Sequence, residues 1–395
     1  MPSLFVDEVL ELFDELNLKQ RRRRVISDVT FSPGKAPREK QALRSLCLVA
    51  GERRPSRDEV VPQPVTKILI AAAKEAGIDD RLKKCLESAA LKEPVFHDPG
   101  VRSKFENQKL FSASQLENYA RCPFAFYVDR MLEPAMMEMD SYNLDRGSIA
   151  HAVLCEFSKA IKPHVVLGKA DEGQLSAARG KMQEILNQEL EKRALGSDAD
   201  SALLRYTLQY HLDRFIDREA SNKKSQLEPD KFELRFGDGE AVGALNIGEG
   251  LRLRGAIDRV DRIKSGPLAL AIDYKTSAKI SKWKDFEDEQ KVQIPLYMSA
   301  LRQYGLVPVG GEYYSIMGES RRGIYLETYD ELLGSRKINK ADKLSQEEFD
   351  RVLDEAEKRA LELAKGIRAL RFSQSSLNGR VCTYCDYGAV CRHKD

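Results

Sequence analysis

The chain has 395 residues, of which 42% are hydrophobic and 32% charged, and its net charge at pH 7 is +2. This composition is typical of a globular protein with two or three domains, and the near-zero net charge does not by itself indicate nucleic-acid binding. Because no apolar run approaches the ~18–20 residues that span a bilayer, and the acidic N-terminus is unlike a signal peptide, we expect a cytoplasmic protein without membrane contact.

The predicted elements fall into two regions. Residues 1–105 contain helical segments between loops rich in Pro and Arg, and we interpret them as a helical N-terminal extension. Residues 106–395 begin with a helix for which Ser114 is the predicted N-cap, with Glu117 at capping-box spacing. Further helical patterns cover 145–161, 172–224, 286–304 and 345–369. Alternating segments over 231–277 and 311–328 predict strands, so this region is a mixed α/β domain with a small sheet flanked by helices.

One strand of the predicted meander ends in the sequence IDYKTS, which places an acid and a base two residues apart. Asp273 and Lys275 therefore share one face of the strand, roughly 7 Å apart. The simplest interpretation of such a pair is a surface ion pair on a half-buried strand.

The preceding turn suggests a different environment for Asp273. If Lys264–Pro267 closes a simple hairpin, Asp258 lies directly across from Asp273 on the same face. Like charges in that position destabilise a sheet unless something compensates them, and a divalent cation would do so. Two carboxylates beside a lysine are the oxygen-rich environment that Mg²⁺ or Mn²⁺ occupies next to a phosphate. We therefore expect Lys275 to face a phosphate rather than to serve as the salt-bridge partner of Asp273.

The sequence GAIDRVDRI followed by DYK resembles the PD-(D/E)XK nuclease superfamily in its RecB-like branch. The closest likeness is to the iron–sulfur nuclease domain of AddB-type helicase–nucleases and to the CRISPR-associated adaptation exonuclease. The resemblance covers roughly residues 106–395 and implies a restriction-endonuclease-like core.

Several site residues are implied by this resemblance alone. The family's metal-binding histidine matches His151, although a lone histidine on a helix is more often structural. Its Q-x-x-x-Y helix matches Gln293 and Tyr297, whose spacing places both on one helical face. Glu233 matches an acid on the first core strand. The implied metal ligands are His151, Asp258, Asp273 and the backbone carbonyl of Tyr274, and the implied catalytic residues are Lys275, Asp258, Asp273, Gln293, Tyr297 and Glu233.

Three cysteines lie close together near the C-terminus, at Cys382, Cys385 and Cys391. Their spacing suits either zinc or an iron–sulfur cluster, with one ligand missing. Cys122, at the start of the domain, is the best candidate for the fourth ligand. The resembled nucleases carry a 4Fe–4S cluster held by one cysteine before the nuclease core and three after it, which implies the same C-terminal staple here.

These observations together predict a metal-dependent DNA exonuclease that acts on DNA ends or single strands in double-strand-break repair. The segment PSLFVDEV resembles the end of a helicase motor, but the chain has no P-loop, so we expect a helicase partner in trans. The alternatives are a CRISPR spacer-processing nuclease, a DNA-binding module without catalysis, and a structural protein stapled by zinc.

Overall fold

The computed structural model describes residues 98–132, 141–193, 199–336, 338–377, 379–383, 385–387 and 391. The N-terminal extension predicted over residues 1–105 therefore lies almost wholly outside the described residues. None of the described helices is long and apolar enough to cross a membrane.

Helices occupy both ends of the described chain and separate two groups of strands. The α-helices are α1 (Pro99–Phe105), α2 (Ala113–Arg121), α3 (Pro123–Tyr127), α4 (Ser141–Ile161), α5 (Glu172–Lys192), α6 (Ala199–Ser221), α7 (Gln293–Gln303), α8 (Gln346–Arg368) and α9 (Gly379–Thr383). The strands are β1 (Leu110–Ser112), β2 (Leu227–Phe236), β3 (Leu245–Gly248), β4 (Leu251–Ile263), β5 (Leu268–Lys275), β6 (Val307–Ser315), β7 (Ser320–Leu326) and β8 (Lys343–Leu344).

The described strands form an eight-stranded mixed sheet in the order β1-β4-β5-β6-β7-β8, with β2 and β3 also paired to β4. The pairings among β2 to β5 are antiparallel, as predicted, but β2 and β3 both pair with β4, so the strand order is not that of a simple meander. β5 and β6 are parallel, with α7 as the connection between them, and their carboxyl ends therefore meet at one edge of the sheet. The prediction of a mixed α/β domain with a helix-flanked sheet is confirmed.

Hydrophobic packing places helices on both faces of this sheet. On one face, α4, α5 and α6 cover even-numbered positions of β5 such as Leu270, Ile272 and Tyr274. On the other face, α2, α7 and α8 cover odd-numbered positions such as Ala269 and Ala271. Because successive strand residues point to opposite faces, Asp273 and Lys275 belong to the side that carries α7.

The predicted N-cap of the first helix of the domain is wrong by two residues. Ser112, not Ser114, caps α2, and its hydroxyl accepts a hydrogen bond from the Gln115 N–H at 3.2 Å. The strand β1 ends at Ser112, and this tertiary pairing fixes where the helix begins. Glu117 is consequently free of the capping role and points to the functional site described below.

A closed ring of buried charges lies on the α6 face of the sheet. Acids and arginines alternate around it in the order Glu219, Arg259, Asp261, Arg336, Glu312 and Arg321, and Arg321 pairs again with Glu219. Asp261 and Glu312 have no exposed side-chain surface, and Arg336 is 2% exposed. The six formal charges cancel, which is the condition under which so much charge can be buried.

Two tyrosine side chains also contact the charge ring. The Tyr325 hydroxyl donates to Glu312 at 2.6 Å, and the Arg321 guanidinium lies 3.6 Å from the centre of the Tyr314 ring. Burial alone would raise the pKa of Glu219, but the surrounding arginines outweigh it and lower that pKa to about 2. The surrounding arginines therefore keep Glu219 ionised near neutral pH.

We expect Arg321→Met to destabilise the protein by about 3–5 kcal/mol, because it leaves Glu219 and Glu312 without one of their buried countercharges. The measurement is the free energy of unfolding in urea. Arg179→Met is the matched control, since Arg179 pairs with Asp217 on the surface and exposed pairs contribute about 1 kcal/mol or less. Equal effects of the two substitutions would contradict a structural role for the charge ring.

Candidate active site

Two aspartates face each other where β4 and β5 separate. The paired residues run from Arg262–Ala269 to Arg259–Ile272, so the hairpin register predicted from the Lys264–Pro267 turn is confirmed. Asp258 and Asp273 lie one step beyond the last pair. At this step the Tyr274 N–H donates to Oδ2 of Asp258 at 2.7 Å, so the Asp258 carboxylate takes the place of a backbone carbonyl as the acceptor.

Asp273 is a buried carboxylate with unused hydrogen-bonding capacity. The residue is 3% exposed, and its Oδ2 accepts no well-oriented hydrogen bond, although Lys275 Nζ lies 2.7 Å from it. Burial raises the pKa of Asp273 to about 6, the charge of Lys275 opposes that rise, and the charge of Asp258 adds to it. The carboxylate pair therefore remains short of positive charge even with Lys275 in place.

Lys275 does pair with Asp273, so the expectation that these two residues are not salt-bridge partners is wrong for this structure. The ammonium group also donates to Oε1 of Gln293 at 2.9 Å and lies 5.0 Å from the centre of the Tyr313 ring. Burial acts to lower the pKa of Lys275, but Asp273 outweighs it and the pKa is raised. Lys275 supplies a positive charge to the buried Asp273 carboxylate, and this attraction explains the contact.

Gln293 and Tyr297 extend the chain of hydrogen bonds that begins at Lys275. Gln293 Nε2 donates to the Tyr297 hydroxyl at 2.8 Å, and both residues lie on the first turns of α7, as their spacing predicts. Glu117 caps this helix from a distance, because its Oε1 accepts from the N–H groups of Val292 and Gln293 at 2.9 and 3.0 Å. The sequence did not identify Glu117 as a site residue, since no local pattern signals a cap supplied from about 175 residues away.

His151 reaches the carboxylate pair from α4. Its Nδ1 lies 3.3 Å from Oδ2 of Asp258, and its ring meets the Tyr274 ring edge-on at 6.2 Å. Burial favours a lower pKa for His151, but the hydrogen bond and charge of Asp258 outweigh it, so the pKa is raised. The structure thus brings together the histidine, both aspartates, the lysine and the glutamine–tyrosine pair.

Glu233 occupies the strand position across from Asp258 but points elsewhere. The paired positions on either side are Phe232–Arg259 and Leu234–Ile257, and Glu233 itself has a left-handed backbone (φ 52°) that interrupts the ladder. Its carboxylate lies 3.9 Å from Arg235. In the described part of the chain, no hydrogen bond or ion pair joins Glu233 to the other site residues.

The residues at the carboxylate pair fit a divalent cation in chemistry. They supply two facing carboxylates, one of them buried, and hard oxygen donors of this kind suit Mg²⁺ or Mn²⁺. Within the described residues, however, no three His, Cys, Asp or Glu side chains are arranged closely enough to enclose a metal ion. At the active site, Asp273 Oδ2 is instead paired with the Lys275 ammonium at 2.7 Å.

Cys122, at the start of the domain, lies near Cys385 and Cys391 at its end. Cys122 is 8% exposed; burial raises its pKa, the Ala125 and Phe124 N–H groups lower it, and the proximity of Cys391 and Cys385 raises it further. The chain ends are also tied by hydrogen bonds, from the Leu377 N–H to the Arg121 carbonyl at 3.0 Å and from the Tyr387 hydroxyl to Asp129. The thiols are free, but among the described residues no three of them lie close enough together to enclose a metal ion.

Comparison with known proteins identifies the family to which this arrangement corresponds. Residues 110–392 match the sequence profile of the PD-(D/E)XK nuclease superfamily. The chain is also 30% identical over 279 residues to the B subunit of the ATP-dependent helicase/deoxyribonuclease of Acetivibrio thermocellus, covering 65% of this chain and 24% of that protein. The corresponding protein of Ruminiclostridium cellulolyticum, which has the same name, is 30% identical over 234 residues, covering 55% and 20% of the two chains. The chain therefore spans about a quarter or less of the length of these relatives.

Replacing Asp273 with Asn should separate its two possible roles. Because the substitution removes one of two facing negative charges, we expect the melting temperature in EDTA to rise by about 2–4 °C. Excess Mn²⁺ should stabilise the wild-type protein but not Asp273→Asn, since binding to the native state alone raises stability.

The control for this measurement is Asp238→Asn, which removes an exposed carboxylate paired with Arg252 and should leave both melting temperatures unchanged. If Asp273→Asn instead lowered the melting temperature in EDTA and kept the response to Mn²⁺, Asp273 would be a structural partner of Lys275 and not a metal ligand.

Proposed function

This chain belongs to the PD-(D/E)XK nuclease superfamily, and we propose that it is a metal-dependent DNA nuclease that hydrolyses phosphodiester bonds. The observation that carries the proposal is the position of Lys275, which is held between Asp273 and Gln293 beside the second aspartate, Asp258. A structural ion pair would not require a second carboxylate at that place. We propose exonuclease action on DNA ends or single strands as the specific activity.

The metal ligands in this proposal are Asp258, Asp273 and His151, together with the backbone carbonyl of Tyr274. A bound Mg²⁺ or Mn²⁺ would activate the attacking water and neutralise charge on the scissile phosphate. Side chains of the protein itself orient the reacting groups. Lys275, a mobile point charge, turns from Asp273 towards the phosphate or the attacking water, and Gln293 limits where its ammonium can go. The capped N-terminus of α7 keeps Gln293 in place.

The context we propose is the repair of DNA double-strand breaks with a helicase partner. The relatives described above are named as subunits of a helicase/deoxyribonuclease, which favours this context over CRISPR spacer processing. The resemblance covers only part of those proteins. A helicase partner in trans is therefore inferred from their names and not from a surface of this chain.

We expect the wild-type protein to degrade end-labelled DNA in Mg²⁺ or Mn²⁺, and Asp273→Ala and Lys275→Ala to lose at least about 100-fold in rate, as when one preorganised charged group is removed from a transition state. Lys264→Ala is the matched control, because Lys264 lies in the turn at the opposite end of the same hairpin. Gel analysis of single-stranded and duplex substrates gives the rates.

Two results would contradict parts of this proposal. Equal activity in wild type, Asp273→Ala and Lys275→Ala would mean that the activity comes from a contaminant and that the site assignment fails. A wild-type protein that binds DNA without cleaving it in either metal would be a DNA-binding module.

We further propose that Cys122, Cys382, Cys385 and Cys391 hold a 4Fe–4S cluster that joins the two ends of the nuclease domain. The buried thiol of Cys122 and its proximity to Cys385 and Cys391 support this assignment. Such a link closes a loop of more than 250 residues, and metal binding at the native site then contributes directly to folding stability.

Protein purified without oxygen should be brown and contain about four iron atoms per chain. Cys122→Ala and Cys385→Ala should lose iron and visible absorbance and unfold at a lower temperature. Cys155→Ala, which removes a buried thiol of α4, is the control and should keep its iron. A colourless protein that contains zinc would replace the iron–sulfur assignment with a zinc staple.

A further inference from the structure

One face of α6 exposes large side chains in a row. Leu203, Tyr206 and Tyr210 have exposed fractions of 56%, 71% and 49%, while Leu204, Leu208 and Leu212 on the same helix are buried. Their spacing of three and four residues places the exposed groups on one stripe of the helix. Among the described residues, core packing does not use these side chains, so this part of the chain leaves the stripe open to a ligand.

A cluster of basic side chains continues this stripe. Arg214 lies 5.9 Å from the centre of the Tyr210 ring, and the ring of His211 meets that of Tyr210 edge-on. Burial lowers the pKa of His211, and the nearby charges of Arg218, Arg146 and Arg214 lower it further, whereas Glu319 opposes them. We call the set Arg146, Arg193, His211, Arg214 and Arg218 the basic cluster.

The basic cluster has more donors than the protein satisfies. Arg193 donates to the Ser148 hydroxyl, and Arg214 pairs with Glu319. Two buried guanidinium nitrogen atoms, Arg146 Nε and Arg193 Nε, nevertheless have no hydrogen-bond partner in the described part of the chain. Arg218 Nη1, by contrast, lies 3.5 Å from Glu319. An excess of unsatisfied cationic donors favours an anionic ligand over an apolar one.

The stripe and the basic cluster lie at the edge of the sheet that carries the active site. A side chain added at Gly147, next to Arg146, would meet Thr276, which directly follows Lys275. Arg218 donates to the Ile316 carbonyl, just past the end of β6, and β6 is parallel to β5. His151 follows Arg146 by about 7.5 Å along α4. The exposed rings, the basic cluster and the carboxylate pair therefore follow one another along one edge.

We infer that α6 and the basic cluster form a binding track for single-stranded DNA that leads to the carboxylate pair. Bases stack on Tyr206 and Tyr210, and the phosphates between them and the site contact the guanidinium groups. A duplex does not fit this track, because its base faces are already stacked. The inference rests on the proposed nuclease function for the final step, in which the strand reaches Asp273 and Lys275.

The test measures binding without cleavage. A fluorescent oligothymidylate of about 20 nucleotides, longer than the ~4–16 that one binding fold usually covers, is titrated in EDTA and followed by anisotropy. We expect Tyr206→Ala with Tyr210→Ala to weaken binding by at least about 25-fold, since each stacked base contributes about 5-fold or more. The double substitution to Phe should restore binding, because it keeps both π faces.

Two further variants complete the design. Tyr304→Ala is the matched control, because Tyr304 is 37% exposed and lies at the opposite end of α7, away from Gln293. Arg146→Gln with Arg214→Gln should reduce the slope of log affinity against log salt concentration by about 0.7 for each phosphate that the variant no longer neutralises.

The outcomes separate this inference from the proposed function. If the tyrosine variants bind the oligonucleotide as the wild type does, the track is wrong and the face belongs to a protein contact, whether or not the wild type cleaves DNA. If the wild type fails to bind, the track is also wrong. If binding depends on the tyrosines but Mg²⁺ and Mn²⁺ support no cleavage, the track is correct and the nuclease assignment fails.

Discussion

The arrangement of the site depends on the repulsion between Asp258 and Asp273. Two carboxylates on adjacent strands, one of them buried, need positive charge nearby, and the chain meets that need with Lys275 at 2.7 Å. The neighbouring residues of the site are arranged around this ion pair. Gln293 holds Lys275, Tyr297 holds Gln293, and Glu117 caps the helix that carries both. Each layer limits the movement of the one inside it. Preorganisation of this kind is what an electrostatic site requires, because groups already in place do not have to reorganise during the reaction.

The charge ring on the opposite face specifies the same register. Asp258 and Arg259 are adjacent on β4 and point to opposite sides of the sheet, one to the site and the other to the ring. A slip of one residue would move Arg259 into the site and leave Asp258 among acids. Both faces would then carry uncompensated buried charge, which costs several kcal/mol for each ion. A buried ion network of this size is a weak source of stability compared with apolar packing, and its best-supported use is to exclude alternative pairings.

Local sequence was sufficient for the parts of the site that lie within one hairpin or one helix. The Lys264–Pro267 turn determined the register that places Asp258 beside Asp273, and i, i+4 spacing placed Gln293 beside Tyr297. Contacts between distant segments escaped prediction. Ser112 caps α2 because β1 pairs with β4, and Glu117 caps a helix about 175 residues away. The sequence suggested a Lys275–Asp273 ion pair, but we expected Lys275 to face a phosphate instead; this was wrong because the pairing depends on the burial of Asp273, which the sequence alone does not reveal.

A negatively charged site that acts on a polyanion needs positive charge on the path to it. Asp258 and Asp273 would repel a phosphate at close range, and the overall charge of +2 is too small to compensate. The chain concentrates its cations at the relevant edge instead. The basic cluster lies on one side, and the loop after β5 carries Lys279, Lys282 and Lys284, all exposed and, among the described residues, without an acid at ion-pair distance. Because exposed charges are screened beyond about 10 Å at 0.1 M salt, only cations placed this near the carboxylates can offset them. The parallel pairing of β5 with β6 makes this possible, since it brings the ends of both strands, and the loops that follow them, to one edge.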